Sequence, residues 1–133
     1  MKILIAEDEP SLRENLQMLL ELEGFEVQLA SDGQEAYALA RRAPPDLVLT
    51  DVMMPVLDGY GLIRLLREDP ATAAVPIIVL TARAEQNDAD LGLSLGANAH
   101  LVKPYRRAEL LEAVQAQLKP KPKPQPPERG RRQ

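Results

Sequence analysis

The chain of 133 residues contains no cysteine and no tryptophan, and only one histidine and one phenylalanine. Without cysteine it can form neither a disulfide nor a thiolate metal site. A reducing compartment suits it, so a cytoplasmic protein is expected. A single histidine excludes multi-histidine zinc sites. No apolar run approaches the roughly eighteen residues of a membrane-spanning helix, and no charged-then-apolar leader pattern precedes the first strand-like run. Neither membrane insertion nor secretion is expected.

What is present is acid, unevenly placed. Residues 1–118 carry ten Lys/Arg against nineteen Asp/Glu, a balance of −9, while residues 119–133 carry six against one, or +5. The excess of acid argues against nucleic-acid binding by residues 1–118. The final segment, KPKPKPQPPERGRRQ, holds five of the twelve prolines and no large apolar side chain. With nothing to bury, it is expected to be an extended, polyproline-like and disordered tail or linker outside the core. Its basic residues are free to meet the acidic domain or a nucleic acid. The boundary falls near Leu118, giving one globular domain over 1–118 and a basic tail over 119–133.

Hydrophobic residues make up 45% of the chain, enough for one well-filled core. KILIA (2–6) is a continuous apolar run of strand length. Leu12, Leu16, Leu19 and Leu20 then recur at helical spacing, with Ser11 or Asp8 as candidate cap and Gly24 as stop. FEVQLA (25–30) alternates as a strand with one polar face. A short amphipathic helix follows from Gly33 and halts at Pro44-Pro45. DLVLT (46–50), PIIVLT (76–81) and AHLV (99–102) are further buried strands. Helices are expected near 60–68, over about 84–94 with Gly96 as stop, and from Arg106 to Leu118. Strands alternating with helices imply a doubly wound α/β fold of the flavodoxin-like type, a parallel five-stranded sheet covered on both faces. The polar-faced second strand belongs at an edge, which the order 2-1-3-4-5 satisfies. That order sets a ligand crevice between strands 1 and 3, at their carboxyl ends.

The strand ends facing this crevice carry polar groups of definite kinds. Glu7 and Asp8 follow strand 1, Asp51 follows strand 3, Thr81 ends strand 4 and Lys103 ends strand 5. Three clustered carboxylates raise one another's pKa unless a cation neutralises them. An all-oxygen donor set points to Mg²⁺, with Mn²⁺ as an alternative. A carboxylate beside such an ion, a lysine and a hydroxyl is equipment for phosphoryl transfer onto aspartate. Glu9 and Asp58 read instead as solvated or capping acids.

The motifs AEDE, LVLTDVMMPVLDGYGL, PIIVLTA and GANAHLVKPY, in that order, resemble the receiver domain of two-component response regulators, the CheY-like fold. The resemblance runs over residues 2–118. It implies that Asp51 is the phosphoacceptor and that Asp8, Asp51 and the Met53 backbone carbonyl ligate Mg²⁺, with Glu7 acting through water. It further implies that Lys103 pairs with the phosphoryl group, that the Thr81 hydroxyl and backbone N–H groups near Met53 and Ala82 hold its oxygens, and that the Lys103–Pro104 bond is cis. Met53 and Arg83 would border the approach of water to the phosphorus. His100 stands where the family usually has a switching Tyr or Phe that follows Thr81. A smaller polar ring weakens the steric form of that switch, and partner contact or an ordinary half-exposed histidine are the other readings.

By the same resemblance, the phosphodonor is a sensor histidine kinase or a histidine phosphotransfer protein. The output is a protein target not named by the sequence, met by the face of the fourth helix, fifth strand and fifth helix. The chain is then a signalling domain rather than an enzyme, read first as a single-domain regulator or adaptor because no helix-turn-helix follows. Asn98 and Ala99 replace the acids, and Ala89, Leu91 and Ala113 the bases, that pair receiver dimers in the largest DNA-binding subfamily, so a monomer or weak dimer is expected. The alternatives are a receiver fragment of a multidomain regulator and a phosphorylation-independent interaction module. A phosphatase of the haloacid dehalogenase type needs a second acid where Met53 stands.

Overall fold

The computed structural model describes residues 1–82 and 93–118 of the chain. Five strands, β1 (Lys2–Ala6), β2 (Glu26–Ala30), β3 (Leu47–Asp51), β4 (Ile77–Ala82) and β5 (Ala99–Lys103), pair in parallel in the order β2-β1-β3-β4-β5. Among the described residues, the connecting helices are α1 (Pro10–Leu22), α2 (Gly33–Arg42), α3 (Gly59–Glu68) and a C-terminal helix (Arg107–Leu118). Residues 93–95 are helical and Gly96 stops them at φ +121°; the rest of the helix expected over 84–94 lies outside the described residues. So does the tail. No helix among the described residues is long and apolar enough to cross a membrane.

The strand alternation sorts the core into two clusters, one on each sheet face. Ile3, Ile5, Leu47, Leu49, Ile78 and Leu80 point to the face covered by α1 and the C-terminal helix, through Leu16, Leu20, Leu110 and Val114. Leu4, Ala6, Val48, Ile77 and Val79 point to the other face, against Ala36 and Ala40 of α2 and Leu62, Ile63 and Leu66 of α3. Strands β1 and β3 are buried on both faces, which explains their unbroken apolar runs, while β2 lies at an edge, as its polar face requires.

One cap differs from expectation. Neither Ser11 nor Asp8 caps α1: Glu9 does, its carboxylate accepting the Ser11 N–H at 3.2 Å and the Leu12 N–H at 2.8 Å. Pro10 opens the helix, a position where its missing N–H costs nothing, and this moves the cap to the residue before it. Asp58 caps α3 by accepting the Gly61 N–H at 2.8 Å. Both acids read as capping or solvated are therefore caps.

Candidate functional site

Register and alternation bring three charged side chains together. Ala6 of β1 lies beside Thr50 of β3, so the next residues, Glu7 and Asp51, are neighbours at the carboxyl edge. Glu7 continues the side of Ile3 and Ile5, and Asp51 that of Leu47 and Leu49. Lys103 continues the side of Ala99 and Leu101, which also pack on that cluster. All three side chains therefore leave the same face.

The resulting contacts are close. The Lys103 ammonium donates to Asp51 Oδ2 at 3.0 Å and lies 3.5 Å from Glu7 Oε1. Asp51 Oδ1 accepts the Val52 N–H at 2.7 Å, and the Glu9 N–H donates to Glu7 Oε2 at 3.1 Å. Asp51 is 8% exposed and Glu7 1%. Glu7 Oε1 is buried with the ammonium as charge neighbour but without an aligned hydrogen bond. Burial, followed by the Asp51 charge, pushes the Glu7 carboxyl up to about 7, against the opposing Glu9 N–H and Lys103. Burial pulls the Lys103 ammonium down, but its hydrogen bond to Asp51 and the two carboxylate charges outweigh that and leave it above its ordinary value.

Asp8 completes the cluster. Carboxylate oxygens of Glu7, Asp8 and Asp51 all lie within 4.8 Å of one another, with Asp8 exposed and the other two buried. The set is all-oxygen, and one of its buried oxygens lacks a hydrogen bond. Such a group suits a hard divalent cation held partly by water.

The remaining expected residues fall around this centre. Thr81 is fully buried, and its hydroxyl donates to the Leu101 carbonyl of β5 at 3.4 Å. His100 is half-buried on β5 and pairs in register with Val79, so alternation sets it on the same face as Thr81. Met53 is 65% exposed in the loop after Asp51. Ala82 ends β4 beside Lys103, and Arg83 lies outside the described residues. The Lys103–Pro104 bond is cis, as the motif implied.

Other features of the site lie in the loop after Asp51 and in the groove beside Lys103. A Cβ on Gly59 would sit 2.3 Å from the Asp51 carbonyl oxygen. Only glycine therefore lets α3 begin against the end of β3, where the Gly59 N–H bonds the Val52 carbonyl at 2.8 Å. In the same loop the Leu57 N–H reaches back to the Pro55 carbonyl at 2.7 Å across Val56, whose φ of +69° is a strained value for a β-branched residue. Tyr105, two residues past Lys103, lines an open groove of about 480 Å³ with Leu12, Asn15, Lys103 and Pro104.

Comparison with known proteins bears on the family and the fold. The family model described as the response regulator receiver domain matches residues 3–115. The DNA-binding response regulator MtrA of Mycolicibacterium smegmatis is 41% identical over 118 residues, covering 89% of this chain and 50% of MtrA. The chain thus spans about half the length of the curated relatives it matches. A response regulator from Chloroflexus aurantiacus superposes with a TM-score of 0.84 at 35% identity, covering 88% of this chain and 96% of that one. The receiver domain of the sensor histidine kinase PA1611 of Pseudomonas aeruginosa, solved with a magnesium ion coordinated in its active-site cleft, superposes with a TM-score of 0.82 at 39% identity. That match covers 88% of this chain and 96% of the other.

Proposed function

Because the chain belongs to the response regulator receiver domain family, we propose that it takes a phosphoryl group from a sensor histidine kinase or histidine phosphotransfer protein onto Asp51. The observation that carries the reading is the buried Asp51 carboxylate held 3.0 Å from Lys103 beside Glu7 and Asp8. A carboxylate oxygen of Asp51 attacks phosphorus as the phosphorus–nitrogen bond of the donor phosphohistidine breaks and its electron pair returns to the imidazole. Glu7, Asp8, Asp51 and the Met53 carbonyl are the groups that would hold Mg²⁺, and the ion, when bound, supplies charge neutralisation for the transferring group. Lys103 sits where the incoming phosphoryl oxygens gather charge, so its ammonium passes from pairing with Asp51 to pairing with them. The Val52 N–H fixes one Asp51 oxygen, which restricts the carboxylate to one orientation before attack.

On phosphorylation the Lys103–Asp51 pair is exchanged for contacts to the phosphoryl group. Thr81 leaves the Leu101 carbonyl to reach it, and His100, on the same face, responds to the space Thr81 vacates. Output then passes to a protein target through the side of the domain that carries β5. The length of the relatives favours a second statement: this receiver is one part of a multidomain regulator, with its effector elsewhere.

The test is intact-mass analysis after incubation with Mg²⁺ and a small-molecule phosphodonor. Wild type gains one hydroxylamine-labile phosphoryl group and Asp51→Asn gains none. Equal labelling of the two proteins overturns the assignment of Asp51.

A further inference from the structure

The outward face of α1 is apolar and acidic at once. Met18 and Leu22 are 53% and 67% exposed, and with Glu14, Gln17 and Glu21 they line a shallow groove of about 260 Å³. Gln17 donates to Glu21 at 3.3 Å, and among the described residues neither Glu14 nor Glu21 has an ion-pair partner. The last turn of α1 contains Glu21 and no basic residue, so the negative end of the helix adds to the field of the acids instead of being offset.

We propose that residues 119–133 of the same chain lie along this groove. The segment carries six Lys/Arg and one Glu, opposite in sign to the domain that precedes it. Its Lys-Pro alternation favours polyproline II, an extended form in which lysines recur about every 6 Å around the sides of the helix, so ammonium groups are available to both Glu14 and Glu21, roughly 10 Å apart along α1. Proline rings and lysine stems can cover Met18 and Leu22 while the ammonium groups meet the two acids. Fifteen extended residues reach roughly 45 Å. They depart from the C-terminal helix, which packs on the same face cluster as α1, so the groove is within range. Tethering also gives the segment a millimolar-scale effective concentration that a free peptide lacks. A second copy of the domain is the poorer occupant, because it would set Glu14 and Glu21 against their own counterparts.

The absence of cysteine permits a single spin label on the full-length chain through Gln125→Cys, which alters no charge. Paramagnetic broadening in low salt is expected to remove about half or more of the amide signal intensity from Glu14 to Leu22 while sparing α2 and α3 on the other sheet face. It is expected to disappear in about 0.5 M salt, where screening falls to a few ångströms. It is also expected to disappear in the exposed-site variant Glu14→Gln/Glu21→Gln. Broadening that is absent, that is equal over α1 and α2, or that survives both salt and the variant overturns the proposal. Broadening that grows with protein concentration assigns the groove to another copy's tail and overturns it as well.

Discussion

The Lys103 ammonium lies 3.0 Å from Asp51 Oδ2 although 52 residues separate them. It is the cation that offsets two buried carboxylates at once, since Glu7 Oε1 is 3.5 Å away. Replacing it with methionine keeps the aliphatic stem and removes the charge. In metal-free buffer Lys103→Met is expected to lose about 1–3 kcal/mol of stability, less than a fully buried pair because the lysine side chain is 24% exposed. Urea denaturation measures this, and an unchanged midpoint would show that the carboxylates are neutralised in another way.

Glu7 makes stability depend on pH. Its carboxyl titrates near 7 in the folded chain against 4.5 ordinarily. The native state therefore binds the extra proton in this window, and the stabilisation is present below pH 4.5 and lost as pH rises through about 7. In chelator-treated buffer, wild type is expected to lose stability between about pH 5 and pH 8, and Glu7→Gln to lack that component. Parallel stability curves for the two proteins would remove Glu7 as its source.

Among the described residues, Arg67 of α3 holds four acceptors and no carboxylate. Its guanidinium donates to the carbonyls of Gly96 at 3.0 Å, Ala73 at 3.1 Å and Val75 at 2.6 Å, and to Asn98 Oδ1 at 2.8 Å. Arg67→Ala is expected to cost about 2–3 kcal/mol by orphaning partly buried carbonyls. Arg67→Lys should recover little, because an ammonium lacks the planar fork. A shift within a few tenths of a kcal/mol for the alanine variant would mean that water replaces the guanidinium without loss.

Lifetime of the proposed phosphoryl group is expected to depend on Met53 and Arg83, which stand two residues after Asp51 and Thr81. Met53 is 65% exposed beside the acceptor and offers no group to orient water. Self-dephosphorylation is therefore expected to be slow. Supplying polar groups with Met53→Asn/Arg83→Glu should speed decay once the phosphodonor is removed in excess Mg²⁺. Decay no faster than wild type would show that water access at these positions does not set the lifetime.

Much of the fold was legible because the sheet writes its parity into the sequence. Two-sided burial makes β1 and β3 continuously apolar, and the position of Glu7, Asp51 and Lys103 just past such runs marks one edge of one face. The α1 cap was not legible at residue level. Ser11, Asp8 and Glu9 are all competent acceptors, and only the geometry imposed by Pro10 selects Glu9. The Arg67 contacts left no trace either, since three of the acceptors are backbone carbonyls that any residue supplies. The burial of Glu7 was hidden for a related reason: sequence shows an acid after a strand, while its desolvation depends on which side of the strand it continues.

Asn98 receives two donors on a single oxygen, the Ile77 N–H at 2.8 Å and the Arg67 guanidinium at 2.8 Å. Neither contact uses its amide nitrogen. Hydrolysis of that side-chain amide to a carboxylate would leave both donors satisfied and set a negative charge directly on Arg67. Position 98 thus keeps both donors satisfied with either amide or acid, and the acid would add an ion pair to Arg67.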